Sequence, residues 1–118
     1  MIVLYFIELM IMPIVMVGCG GLWRKQPPKS INKFYGYRTA RSMKSKESWD
    51  FAHKYIGRIW FKLGVGIAIF TIIIFFIFKN SNDSTLGKVF VNLMIIQIIT
   101  LIVPIISTEI ALKRKFEK

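Results

Sequence analysis

Residues 63–78 read LGVGIAIFTIIIFFIF, residues 79–88 read KNSNDSTLGK, and residues 89–108 read VFVNLMIIQIITLIVPIIST. Two uncharged apolar runs joined by a short polar link decide the fold. A helix rises about 1.5 Å per residue, and about 20 apolar residues cross the hydrocarbon core of a bilayer. Each run is therefore read as a span and the link as the turn of a helical hairpin. The earlier run is short, so it must recruit Ile59, Trp60 and Phe61, with Lys62 reaching back to the headgroups along its apolar stem.

Outward from that hairpin, residues 1–23 form a third apolar stretch. The segment Met16-Val17-Gly18-Cys19 resembles a lipoprotein cleavage site, but no cation precedes the run and Glu8 lies inside it. A secretory signal has a positive start and an uninterrupted apolar centre, so a retained span is expected. The expected fold is an all-α integral membrane protein, one domain over residues 1–118. Its spans fall at about 2–23, 59–78 and 87–108, with a loop at 24–58 and a tail at 109–118.

The chain is 54% hydrophobic yet carries a net charge of +11. In soluble proteins apolar and charged residues interleave; here they are segregated, which is a membrane pattern. The loop holds Arg24, Lys25, Lys29, Lys33, Arg38, Arg41, Lys44, Lys46, Lys54 and Arg58, and the tail adds Lys113, Arg114, Lys115 and Lys118. Only Lys79 and Lys88 lie on the other side. Two crossings separate loop and tail, so they share a side, and the positive-inside rule makes it the cytoplasm, with the N-terminus outside. The expected partner of these cations is a bilayer with anionic headgroups rather than nucleic acid, for which no binding module is visible.

The loop carries structure of its own. Pro27-Pro28 gives a stiff exit from the first span. Ser45 is placed to cap a helix beginning near Lys46. Trp49, Ala52, Ile56, Ile59, Trp60 and Leu63 then recur at helical spacing, predicting an amphipathic segment that runs into the second span.

Glu8 is an ionisable group inside a span, where such groups are costly and turn towards a bundle interior or a cavity. Counted inward from the outer ends, Glu8, Thr71 and Asn92 lie roughly 9 to 10 Å deep, with Gln97 some 7 Å further in. They are expected to form an intramembrane polar layer, read either as interhelical glue or as a ligand or proton site. Gly57, Gly64, Ala68 and Thr71 form a small-residue stripe suited to close helix approach, from within the chain or from a second copy in a homo-oligomer. Pro13 and Pro104 each remove a backbone donor and free the carbonyl four residues earlier.

In the loop, residues 31–42 interleave aromatics with cations: Phe34, Tyr35 and Tyr37 among Lys33, Arg38 and Arg41. One reading has the aromatics anchored at the interface and the arginines on lipid phosphates. The other has Gly36 making a tight turn and the arginines holding a carboxylate or phosphate. Glu109, at the inner end of the third span, is the available partner for Arg38, Arg41, Arg58 or Lys62. Catalytic residues, a metal site and a cofactor are not expected. Cys19 is the only cysteine, His53 stands alone and is read as a surface or packing residue, and no nucleophile or phosphate-loop motif occurs. An enzyme is accordingly not expected.

The stretch Asn32, Tyr35-Gly36-Tyr37-Arg38-Thr39, Arg41-Ser42-Met43, Trp49, Ala52 and Gly57, followed by two spans and by Thr108-Glu109, resembles the SdpI family of bacterial membrane proteins. That family is named for an immunity protein against a secreted peptide toxin. It favours proline where Ala40 stands and asparagine where His53 stands. The resemblance implies a multi-pass protein of the bacterial cytoplasmic membrane that confers resistance to a peptide toxin and signals to a cytoplasmic repressor. Asn32, Tyr35, Gly36, Tyr37, Arg38, Thr39, Arg41, Ser42, Trp49 and Glu109 are the candidate residues for binding a ligand or partner. Two other readings remain open: a small oligomeric transporter or channel subunit using the polar layer, and a structural module that binds anionic lipid.

Overall fold

A computed structural model describes residues 2–32 and 34–117. Met1, Lys33 and Lys118, expected in the first span, the loop and the tail, lie outside the described residues. Three helices make up the chain: α1 (Ile2–Trp23), α2 (Lys46–Phe78) and α3 (Asp83–Phe116), with a short 3₁₀ turn at Ser42–Lys44 before α2. Among the described residues there is no strand.

Helix length sets the shape. At about 1.5 Å per residue, α1 runs about 33 Å, close to the thickness of a hydrocarbon core, whereas α2 and α3 each run about 50 Å. At the hairpin end the three helices are nearly flush, since Ile2 and Tyr5 line a cavity with Phe78 and Leu86. The excess length of α2 and α3 therefore projects at the other end, beside the loop. The molecule measures 53 × 24 × 22 Å.

Local chemistry fixes the helix starts. Ser45 accepts from the Ser48 N–H while the Ser48 hydroxyl accepts from the Ser45 N–H, a reciprocal box that starts α2 where the sequence places it. Asn82 caps α3 by accepting from the Thr85 N–H at 2.8 Å.

The α1–α2 seam is built on glycine. A Cβ on Gly20 would sit 2.6 Å from the Phe61 backbone nitrogen, and one on Gly57 would sit 2.6 Å from that of Arg24. At Gly64 it would meet Met16 and Val17. For Gly57 and Gly64 the close neighbour is thus α1 of the same chain. At the hairpin end Tyr5 stacks on Phe90 and Phe6 packs on Phe75, both at 4.5 Å between ring centres. Most remaining span side chains point outward: Ile69, Ile73, Ile95 and Ile99 are each at least half exposed. Three helices long and apolar enough to cross a membrane, with such a surface, make this a multi-pass membrane protein.

Inside the bundle one polar bond ties α1 to α3. Pro13 has no N–H to give the Leu9 carbonyl, and the Gln97 side chain, 3% exposed, donates Nε2 to that carbonyl at 2.7 Å. A helix interruption and a buried amide, each costly alone in hydrocarbon, satisfy one another. Gln97→Leu should lower stability in detergent by about 1 kcal/mol. In a Pro13→Ala background, where the restored N–H reaches Leu9, the same change should cost close to nothing. A thermal-unfolding double-mutant cycle reads the difference, and equal penalties in both backgrounds would refute the pairing.

Candidate functional site

The loop folds back over the projecting ends of α2 and α3. Pro28 is held by its carbonyl, which accepts from the Trp49 indole N–H at 2.9 Å. Asn32 Oδ1 accepts from the N–H groups of Phe34 and Tyr35 at 2.9 and 2.8 Å, turning the chain by a local side-chain bond. Gly36 has φ +105°, and a Cβ there would lie 2.8 Å from His53 Nε2 and 3.2 Å from the Trp49 ring. Both the left-handed backbone and the close approach demand glycine.

Tyr37 is the junction. Its N–H donates to His53 Nε2 on α2 at 2.8 Å, its carbonyl accepts from the Ser42 hydroxyl at 2.9 Å, and its hydroxyl donates to Glu109 on α3 at 2.5 Å. Thr39 Oγ1 donates to the same Glu109 oxygen at 2.8 Å, and Arg41 lies 3.6 Å from the other. Burial first, and then the adjacent carboxylate, push the Tyr37 phenol well above its usual range, so it stays a donor. Arg41 also donates to Glu117 at 3.0 Å, and Lys44 pairs with Glu117 as well. Those two cations, Lys44 foremost, hold the Glu117 carboxyl below its ordinary value. Beneath this polar layer Tyr37, Ala52, Ile56 and Leu112 form an apolar core flanked by Trp23, Phe51 and Phe116.

The structure therefore brings Gly36, Tyr37, Thr39, Arg41, Ser42, Trp49 and Glu109 into one connected cap, with Asn32 shaping the approach. Tyr35 and Arg38 are exposed on its outer face, next to Phe34, which is 89% exposed. Arg41 lies within ion-pair distance of Glu109, and two neutral hydroxyls reach closer still.

His53, read from the sequence as a surface or packing residue, is a packing residue, and its role as an acceptor for the loop was not foreseen. It is fully buried, with Nδ1 at 2.7 Å from the Trp49 carbonyl and Trp23, Trp49 and Tyr37 around its ring. Donation from Nδ1 to that carbonyl leaves Nε2 free to accept from Tyr37, so the ring is neutral. Its position in register with Trp49 and Ile56 was the available signal. Glu117 was missed too, and only its place one helical stretch beyond Glu109 hinted at a role.

The four polar residues of the spans do not converge. Thr71 is buried but donates to the Ile67 carbonyl of its own helix at 2.7 Å, and Gln97 is committed to Leu9. Glu8 and Asn92 are exposed. The physical reason is rotation about the helix axis. The buried residues of α1 are Leu9, Pro13, Met16 and Gly20, and those of α3 include Leu93 and Gln97, so Glu8 and Asn92 each sit one residue, about 100°, off the inward stripe. Equal depth does not bring side chains together when they point different ways. Glu8 instead lines a groove of about 220 Å³ between α1 and α3 with Met12, Phe90, Met94 and Gln97. Among the described residues no group of His, Cys, Asp and Glu could hold a metal ion.

A helical hairpin and a third span, closed at one end by a folded loop, define a small multi-pass membrane protein with a polar cap. The SdpI/YfhL protein family matches residues 29–108, from the start of the cap to Thr108. The chain belongs to that family. A protein of Bacillus subtilis (strain 168) described as "Uncharacterized protein YfhL" is 32% identical over 103 residues, covering 87% of this chain and 80% of that protein. No solved structure matches.

Burial, the largest influence, lowers the His53 pKa below its ordinary value; the Trp49 carbonyl and Asp50 act the other way, and Lys46 assists the lowering. Since the fold holds His53 neutral, the unfolded chain takes up its proton first as pH falls. The stability His53 contributes is complete above about pH 6.5 and is lost progressively below it. Thermal unfolding followed by tryptophan fluorescence should show a loss of about 1 kcal/mol between about pH 7.5 and about pH 5.5, the value of one internal hydrogen bond. His53→Asn, which keeps an acceptor without a proton to gain, should flatten this dependence. An unchanged slope in that variant would remove His53 from the account.

Proposed function

We propose that this chain is a non-enzymatic membrane immunity protein that protects its cell from a secreted, membrane-active peptide. Family membership supports the class of function. The observation that carries the reading is Glu8: it has no hydrogen bond or ion pair among the described residues, yet it faces an apolar groove within the span. An ionisable side chain left on a hydrocarbon-facing surface costs a few kcal/mol. A peptide entering the bilayer with an amine or amide against Glu8, and apolar side chains against Met12, Phe90 and Met94, would relieve that cost.

In this reading the loop and tail face the cytoplasm. They meet in one cap, as Tyr37–Glu109 and Lys44–Glu117 require, and together hold nearly all the cations of the chain. Glu8 then lies in the outer half of the bilayer, where a peptide from the medium arrives. The cap lies within reach of the cytoplasmic repressor that the family resemblance implies, with Phe34, Tyr35 and Arg38 outermost.

Expression in a peptide-sensitive strain should raise survival at least tenfold, and Glu8→Gln should abolish most of that gain at equal protein level. Protection that is absent against every secreted peptide tried, or that is indifferent to Glu8→Gln, would overturn the proposal. Orientation has its own check in a Cys19→Ser background. A membrane-impermeant maleimide should label Asn80→Cys in intact cells and leave Ser30→Cys unlabelled until the cells are opened. The reverse pattern would place the cap outside and sink the repressor reading as well.

A further inference from the structure

On the opposite flank from the Glu8 groove, at the cap end, an open cleft of about 590 Å³ lies along α3 beside Tyr55 of α2. Its α3 wall is one helical stripe. Val103, Ser107, Ile110 and Arg114 follow at intervals of four, three and four residues, so they share a face, with Ile106 beside them. Read towards the cap, that face passes from hydrocarbon (Val103, Ile106) through hydroxyl (Ser107) and one short apolar turn (Ile110, Ala111) to cation (Arg114, Lys115). Across the cleft the Tyr55 hydroxyl of α2 lies 2.8 Å from Ser107 Oγ. One hydrogen is used between those two oxygens, leaving the other for an acceptor from outside.

The chemistry runs parallel to a phospholipid: acyl chain, ester, phosphate. From Val103 to Arg114 the helix rises about 16 Å, enough to span a phosphate, the glycerol esters and the first acyl carbons. Val103, Ile106 and Ile110 are each about half exposed, so an apolar chain has a surface to lie on. Arg114 makes no hydrogen bond or ion pair among the described residues, and Lys115 lies over the Phe51 ring at 4.6 Å with its charge uncancelled by any carboxylate among the cleft residues. A guanidinium at headgroup level beside a greasy wall selects an anion with a tail rather than a free anion.

We propose that this cleft is a binding site for a single anionic phospholipid, its phosphate on Arg114 and Lys115, an ester or phosphate oxygen on the Tyr55–Ser107 pair, and one acyl chain along Val103 and Ile106. The site is independent of the peptide reading, because it lies on another flank, at the other end of the bundle, and does not involve Glu8.

Native mass spectrometry of the full chain in mild detergent, titrated with phosphatidylglycerol or phosphatidylcholine, tests it. One phosphatidylglycerol per chain should be retained at least fivefold more tightly than phosphatidylcholine. Arg114→Gln should weaken it about fivefold, as loss of one direct hydrogen bond to the bound phosphate does. Lys113→Gln, one residue away and outside the cleft, should leave it unchanged. Ile106→Trp, which fills the apolar wall at an exposed position, should weaken both lipids. Excess inorganic phosphate should displace neither. Equal retention of the two lipids, equal losses in Arg114→Gln and Lys113→Gln, or indifference to Ile106→Trp would each mean a non-specific annulus and overturn the proposal. Full displacement by inorganic phosphate would mean a small-anion site and overturn it too.

Discussion

The Glu109 carboxylate, at the point where α3 leaves the hydrophobic span, is the group on which the loop end is assembled. A half-buried carboxylate near a bilayer surface is tolerable only if its oxygens are occupied by donors. Tyr37, Thr39 and Arg41 supply them, all from one short stretch of loop. Those bonds fix the loop in place, and the rest follows. Gly36 must turn where it does, Tyr37 must present its N–H to His53, and Trp49 must hold Pro28. The basic loop is folded over an apolar core, on helices longer than a hydrocarbon core is thick.

Within the spans the constraints differ, because lipid is as apolar as the side chains and burial of hydrophobic surface drives nothing. Close contact and polar satisfaction take over. Gly20, Gly57 and Gly64 let α1 and α2 meet at backbone distance, where dispersion forces are strongest. The Gln97 to Leu9 bond converts the defect left by Pro13 into a tether between α1 and α3. The bundle thus has two kinds of core: a dry, small-residue seam in the span, and a mixed polar and aromatic one in the cap.

The two ends of the molecule divide its chemistry. Polar groups in the cap are mostly spent on the fold, and its outer rim carries the exposed side chains of Phe34, Tyr35 and Arg38. Among the described residues, Glu8 in the span and Arg114 at the cap end of the α2–α3 cleft make no hydrogen bond or ion pair. Both lie next to apolar surface, on different flanks of the bundle.

The chain by itself determined what depends on distance along it. Although α3 runs on to Phe116 through most of the stretch expected as a tail, the number of apolar helices, the start of α2 after Ser45 and Glu109 as an acceptor near the loop were legible, since rise per residue and capping chemistry are local. Rotation and long-range register were not. A span that is apolar on every side carries no periodic mark of its inward face, so depth placed Glu8, Thr71, Asn92 and Gln97 together while packing turned two of them outward. In the loop, charge pointed to arginine as the mate for Glu109, but the geometry of Gly36 and the reach of a buried phenol gave the nearest place to Tyr37. His53 became a neutral acceptor because three aromatic rings closed around it, a circumstance that only the folded neighbours of a residue can create.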